Sequence, residues 1–371
     1  MPNLAPVHAG LLRETMPGER RVALTPEDVG HLSARFPITF ERGCGTAAGY
    51  EDEAYVAAGA QPANRETIAR DCNLIVGIRK PLDARSFAGS PTLIYLGSPL
   101  DAREPTDRGL ALDLARLEGV IEAGSMDVAT RQATICGHAA VLEGARHLGI
   151  GHPMLVMDGA RARPIKMAAL GSGAAALQAV ATAKRLGALT HLFGVSDDDR
   201  ERAEALGAKF VMIDPALTRT RGAKPDALAA GDRRQLAGQL REMQLIVSSV
   251  GASTGRAPVL IDEASLTLLT AGTVIVDLEA SAGGNCAVTK PDEIVVRGDI
   301  HILGITTLAS DDAHQSSALF SEGVRKLLEH LTTSGSLLEL DVKDPLIRHL
   351  IGERFADAAL CHEPRTALNR P

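Results

Sequence analysis

Ile165-Lys166-Met167-Ala168-Ala169-Leu170-Gly171-Ser172-Gly173-Ala174-Ala175-Ala176-Leu177 is the stretch that decides the fold of this 371-residue chain. Its first six residues are an apolar run of strand length, and Leu177–Leu186 continues with the apolar spacing of a helix. Between them stands G-x-G-x-x-A. Gly171 permits the tight turn, Gly173 lets the backbone approach a pyrophosphate, and Ala176 lets helix and strand pack closely. The free N–H groups of Ser172, Ala174 and Ala175 at the helix start then face phosphate oxygens. The stretch therefore predicts a dinucleotide-binding domain.

Outward from it the chain alternates short apolar runs with helical patterns, which predicts an α/β fold with parallel sheets. Strands are predicted near Lys166–Leu170, Thr190–Phe193, Lys209–Ile213, Leu245–Ser248, Val274–Asp277 and His301–Gly304. Six strands are the content of a full dinucleotide-binding domain. Upstream, strands are predicted near His8–Leu12, Ile38–Glu41, Leu74–Ile78, Leu93–Leu96 and Val120–Ile121. Helices are predicted near Pro26–Leu32, Asp52–Ala58, Asp127–Leu148 and Ser316–Leu331, with a Gly/Pro break at Gly149–Pro153. The reading gives two domains. A discontinuous substrate domain covers 1–137 plus 314–371, and a dinucleotide domain covers 138–313. The last residues, Glu339–Pro371, are too few to bury a core alone and return to the first domain.

Composition narrows the partners. The chain is 45% hydrophobic and 23% charged, with a net charge of -7 and only 3% aromatic residues. Without a basic block or stacking platforms, nucleic acid is excluded as a partner. The five cysteines are odd in number and form no C-x-x-C pair, so neither a metal site nor a disulfide framework is readable. No signal peptide and no apolar run of bilayer-spanning length is read, which points to the cytoplasm.

The end of the second strand of such a domain usually carries an acid for the adenosine ribose of NAD. Here Gly194 stands at that place, followed by Val195, Ser196 and the acidic run Asp197–Asp199. Losing the carboxylate leans toward NADP, with Ser196 a partner for the 2′-phosphate. The other reading keeps NAD, with Asp197 reaching back to the ribose. Val250 and Gly251, just past the strand Leu245–Ser248, are placed with the cofactor as well.

The run Glu14-Thr15-Met16-Pro17-Gly18-Glu19-Arg20-Arg21-Val22-Ala23-Leu24-Thr25-Pro26 resembles the N-terminal signature of the alanine dehydrogenase/pyridine nucleotide transhydrogenase family. So do Glu41–Gly45, Ser125-Met126-Asp127, and Val274–Leu278 followed by Gly283-Gly284-Asn285-Cys286. The last two point to the transhydrogenase alpha subunit rather than to alanine dehydrogenase. The resemblance implies two Rossmann-like domains with the cofactor in the cleft between them, a homodimer, and hydride transfer.

Several functional positions depart from the family pattern. Arg21 keeps the arginine that holds a substrate carboxylate, and Arg79 stands where a lysine is expected. The catalytic His of alanine dehydrogenases falls at about Gly97 and the catalytic Asp at Ser281, which argues against ordinary alanine dehydrogenase activity. The Arg and Gln with which transhydrogenases fix the nicotinamide fall at Gly119 and Gly124. Asp127 and Thr130 are kept, and no Tyr lies in Asp214–Met243.

Arg21 has two open readings, a carboxylate clamp or an ion pair with Glu14 or Glu19. Asp127 serves as N-cap and as nicotinamide contact. His138 is either an acid/base or a hydrogen-bonded structural residue. Asn285 contacts the cofactor or holds a Gly-rich turn, and Cys286 reads as packing. The expected function is an NAD(P)(H)-dependent oxidoreductase, acting on a small carboxylate-bearing imine, amine or keto substrate. Two alternatives stay open: an alpha subunit working with membrane-embedded transhydrogenase subunits, and a non-catalytic dinucleotide-binding protein.

Overall fold

A computed structural model of the chain describes residues 6–81, 87, 91–97, 110–149, 163–215, 230–251, 255–332, 337–338, 340–341 and 343–351. The elements run β1 Ala9–Leu11, α1 Pro26–Ser33, β2 Ile38–Glu41, α2 Asp52–Ala57, β3 Gln61–Ala63, α3 Arg65–Asp71, β4 Leu74–Val76, β5 Thr92–Tyr95, β6 Ala111–Asp113 and α4 Val128–His147. Then come β7 Lys166–Leu170, α5 Ala174–Arg185, β8 Leu189–Gly194, α6 Asp197–Ala205, β9 Lys209–Met212, α7 Ala230–Leu240, β10 Leu245–Ser248, α8 Glu263–Leu266, β11 Val274–Asp277, β12 Ile294–Arg297, β13 Ile300–Leu303, α9 Ala313–Leu331 and α10 Pro345–Ile351. They divide into two compact units. One lies within Met1–Gly97, Glu104–Ala129 and Ala313–Pro371, the other within Ser98–Arg103 and Thr130–Asp312.

The first unit is built on a six-stranded sheet of order β3-β2-β1-β4-β5-β6, parallel throughout. The second is built on seven strands, β12-β13-β11-β10-β7-β8-β9, parallel except for the antiparallel edge pair β12–β13. Stripped of β12, both sheets have the same order, with the reversal between β1 and β4 in one and between β7 and β10 in the other. Ligands of open parallel sheets bind at such reversals, outside the carboxyl ends of the strands.

Local sequence explains the elements. Met167–Leu170 are fully buried, as a continuous apolar strand covered on both faces must be. Pro26 starts α1, where its missing N–H costs nothing. In α9, Phe320, Val324, Leu327, Leu328 and Leu331 recur with helical spacing and are fully buried in the first unit's core.

Three strands escaped the sequence pattern. β3 contains Pro62 and has no fully buried residue. β6 is the short run Ala-Leu-Asp, whereas the strand expected at Val120–Ile121 is replaced by the 3-10 segment Ile121–Met126, with Ile121 90% exposed. β12 adds an edge strand beyond the six expected in the second half. Helix α3 was also unforeseen. Residues 150–153 of the expected break and 352–371 of the C-terminal segment lie outside the described residues.

Candidate functional site

In the second unit, β7 runs into α5 through Gly171-Ser172-Gly173. Gly171 has φ 104°, and a Cβ there would stand 3.1 Å from the Ser249 carbonyl oxygen, so glycine is required on both counts. Gly173 is different. Its φ is -71°, and a Cβ on it would meet no protein atom within 4 Å. Packing therefore gives no reason for a glycine, whereas a ligand lying on the start of α5 does. That helix begins without a side-chain cap, which leaves its first N–H groups for an anion. Ala174 and Ala175 supply two of them. Ala176 is fully buried, and the backbone of Ala175 is in close contact with Gly137 of α4. These residues fit a dinucleotide pyrophosphate.

At the end of β8, Gly194 is backed by Asp199, whose carboxylate accepts the N–H groups of Val195 at 2.9 Å and Ser196 at 3.2 Å. Ser196 in turn accepts the Asp199 N–H at 3.1 Å, completing a capping box on α6. Ser172 also bonds to this carboxylate, tying the phosphate loop to α6. These hydrogen bonds outweigh burial and hold the Asp199 carboxyl below the usual range. Asp199 is thus committed to the backbone, and the Ser196 hydroxyl belongs to the cap. Asp197 is exposed and pairs with Arg200 at 3.4 Å.

The loop after β10 is gripped by Asn285, which is fully buried. Its Oδ1 accepts from Ser248 Oγ at 2.7 Å and Val250 N at 3.0 Å, and its Nδ2 donates to the carbonyls of Val250 and Pro258, both at 2.9 Å. The side chain has no capacity left for a ligand, so Asn285 shapes the loop from behind. Asp277, at the end of β11, accepts from Asn285 N, Cys286 N, Thr289 Oγ1 and Glu279 N. Its burial raises its pKa. Cys286 is buried, its thiol pushed up to about 11 by desolvation, in keeping with packing rather than reactivity. Gly251 is exposed, and the Glu279 carboxylate lies beside it, 3.4 Å from where a Cβ would stand. Ser281 is exposed, in the 3-10 turn Ala280–Ala282.

In the first unit, the segments leaving β1 and β4 carry a cluster of four ionisable side chains. Arg21 is buried and forms a forked pair with Glu19: Nε to Oε1 at 2.7 Å and Nη2 to Oε2 at 2.5 Å. Glu19 also lies 3.5 Å from Arg79 Nε, a buried atom that makes no hydrogen bond. Glu14 accepts the Ile78 N–H at 2.6 Å and the Arg79 N–H at 3.3 Å. Burial, reinforced by Glu19, raises its pKa to about 7 against the opposing pull of these N–H groups and Arg21. The ion-pair partner of Arg21 is therefore Glu19, not Glu14. Gly97, where a catalytic His was sought, donates its N–H to Asp113 Oδ1 at 2.8 Å. A Cβ there would stand 2.5 Å from that carboxylate, so a side chain fits only if Asp113 moves.

Asp127 precedes α4 and accepts the Gly119 N–H at 2.9 Å, and Thr130 follows in the helix's first turn, half-buried. Gly119 and Gly124 both have positive φ, and at Gly124 the pair φ 50°, ψ -119° belongs to glycine alone. His138 Nδ1 lies 3.1 Å from Thr182 Oγ1 on the flank of α5. This bond joins two helices and gives the imidazole a structural role. Sequence reasoning missed Asp199, Asp277 and Glu279. Ser196-x-x-Asp199 is a readable capping signal, but nothing in the spacing announces the other two.

Family models match nearly all of the chain. The alanine dehydrogenase/PNT N-terminal domain matches residues 10–135 and the corresponding C-terminal domain residues 140–354. The chain is 30% identical to the first segment of the NAD(P) transhydrogenase alpha subunit of Rhodospirillum rubrum, over 95% of this chain and 97% of the relative. It is 28% identical to an alanine dehydrogenase of Halomonas elongata, over 76% of each. The structure of a transhydrogenase from Sinorhizobium meliloti superposes with a TM-score of 0.80 at 25% identity, covering 92% of this chain and 97% of that one.

Proposed function

We propose that this chain, which belongs to the alanine dehydrogenase/PNT family, is an NAD(P)(H)-dependent oxidoreductase acting on a small carboxylate-bearing imine, amine or keto compound. One observation carries the reading. At the sheet reversal of the first unit, the buried Arg79 Nε makes no hydrogen bond and is the donor suited to an anionic substrate group, while Arg21 is committed to Glu19. The nicotinamide cofactor, when bound, supplies the hydride chemistry. Gly171, Ser172, Gly173 and the start of α5 hold its pyrophosphate, and Val250 and Gly251 line the neighbouring loop. The cofactor is NADP(H), because Asp199 is spent on backbone N–H groups and Gly194 offers no carboxylate for a ribose. The chain acts as a homodimer in the cytoplasm. Among the described residues, no helix is long and apolar enough to cross a membrane.

Hydride exchange as a transhydrogenase alpha subunit, beside membrane-embedded partners, is the second reading. The full-length match to the Rhodospirillum rubrum relative favours it. The two glycines with positive φ at 119 and 124 disfavour it. One assay separates them. Oxidation of NADPH with keto acids, with and without an amine, supports the free-standing enzyme. Exchange between NADH and an NAD analogue, only when an NADP-binding partner subunit is added, supports the second reading. Neither activity, with dinucleotide still bound, leaves a binding protein.

A further inference from the structure

The carboxyl ends of β1, β2 and β3 frame a concavity of roughly 550 Å³ in the first unit, a volume in the range of small-molecule sites. Arg13, Glu41, Arg42, Asn64, Arg65 and Thr67 supply its polar lining, three guanidiniums to one carboxylate. The chain as a whole carries a net charge of -7, so this gathering of positive charge runs against its average.

The carboxylate is spent on holding the frame. Glu41 Oε2 accepts the Arg13 N–H and Arg65 Nη1, both at 2.9 Å, and Arg65 Nη1 also donates to the Arg13 carbonyl at 3.2 Å. Arg13 is thus clamped through its own N–H and C=O by a largely buried ion pair. The side chains of Arg13 and Arg42 are different. Both residues are exposed, and among the described residues neither guanidinium has a hydrogen-bond or ion-pair partner. Asn64 Oδ1 accepts the Thr67 N–H at 2.8 Å, and its Nδ2 donates to nothing among the described residues. The lining therefore offers fixed donors without an acceptor. A guanidinium presents paired N–H groups that match two oxygens of a phosphate, and two guanidiniums on one concavity suit a dianion.

We propose that this concavity binds a phosphate dianion, free or as the monoester of a small metabolite, through Arg13 and Arg42. The site is built entirely from the first unit, apart from the pyrophosphate loop at Gly171–Gly173. None of its residues takes part in the substrate reading above, and the two stand or fall separately.

The test is calorimetric titration of the full chain at low salt with inorganic phosphate, glycerol 3-phosphate and citrate. An excess of NADH, which carries no phosphate monoester, is present throughout to fill the dinucleotide loop. The expected result is saturable binding of one phosphate or phosphate ester per chain, weakened by added salt. The tighter of the two tells whether the natural occupant is the free anion or an ester. Arg13→Gln and Arg42→Gln are each expected to weaken that binding by about tenfold or more, with thermal unfolding and NADH affinity unchanged. Both side chains are exposed and unpaired among the described residues, so neither substitution disturbs folding. Absence of saturable phosphate binding in the wild-type protein overturns the proposal, as does binding that survives both substitutions. Citrate binding as tightly as either phosphate overturns the assignment to a phosphate.

Discussion

Asn285 and Val250 are joined twice, the side-chain amide of one taking the N–H of the other at 3.0 Å and giving back to its carbonyl at 2.9 Å. A side chain thus behaves as a strand neighbour would, and the loop that follows β10 is built on it. Replacing Asn285 by Ala leaves the Val250 N–H and the carbonyls of Val250 and Pro258 without their partner. Because each unpaired buried group costs about 1–3 kcal/mol, we expect a loss of roughly 3 kcal/mol or more in denaturant unfolding. Wild-type stability would mean that the loop holds itself.

The two fingerprint glycines are expected to fail in different ways. Gly173→Val meets no protein atom within 4 Å at its Cβ, so the protein stays folded while NADH and NADPH binding both drop by about tenfold or more. Gly171→Ala forces a side chain into a positive φ, and stability falls by about 1–2 kcal/mol. Fluorescence titration and thermal unfolding read the two effects. Unchanged dinucleotide affinity in Gly173→Val would place the cofactor elsewhere.

Restoring the nicotinamide-fixing side chains is not expected to restore exchange. Gly119→Arg and Gly124→Gln each strain a backbone with φ of 73° or 50°. Each should cost about 1–3 kcal/mol without raising hydride exchange. A gain in exchange rate with unchanged stability would show that the loop accepts side chains after all.

Glu14 makes stability depend on pH with a definite sign. Its folded pKa, about 7, lies above the ordinary value of 4.5, so the folded chain holds the proton more tightly. Its contribution is fully present below the ordinary value and declines as pH rises to about 7, then stays level. Glu14→Gln removes that decline. The stability of the variant relative to wild type should therefore rise by on the order of 1–3 kcal/mol across this window and be flat on either side. A difference that does not change with pH would place an ordinary carboxyl at this position.

The parts that were legible in the amino-acid order are those where one physical demand fills consecutive positions. Met167–Leu170 must be apolar because both faces are covered, and Gly171 must be glycine because its φ is 104°. β6 gave no such signal, since Ala111-Leu112-Asp113 is held by its neighbours rather than by its own preference. Val120 and Ile121 misled because an apolar pair was read as buried, whereas Ile121 is 90% exposed. In the site, the arginines were found but their partner was left between Glu14 and Glu19, and only the folded geometry chooses Glu19. The spending of Asp199 on backbone N–H groups, and the crowding of position 97 by the Asp113 carboxylate, arise from contacts made across the fold.

Two serines set a clock on this protein's synthesis. The stretch that carries Arg21 is moored by Ser317, which takes the Val22 N–H at 2.9 Å, and by Ser321, which takes the Thr25 N–H at 2.8 Å. These partners are separated by 295 and 296 residues, with the whole second unit between them. At about 5–20 residues per second, the ribosome needs roughly 15–60 s to deliver the mooring after the stretch has emerged. The second unit, whose last residue is Asp312, is complete before then. The nascent N-terminal strands must meanwhile wait with their apolar faces uncovered, and the aggregation hazard of this chain is concentrated in that interval.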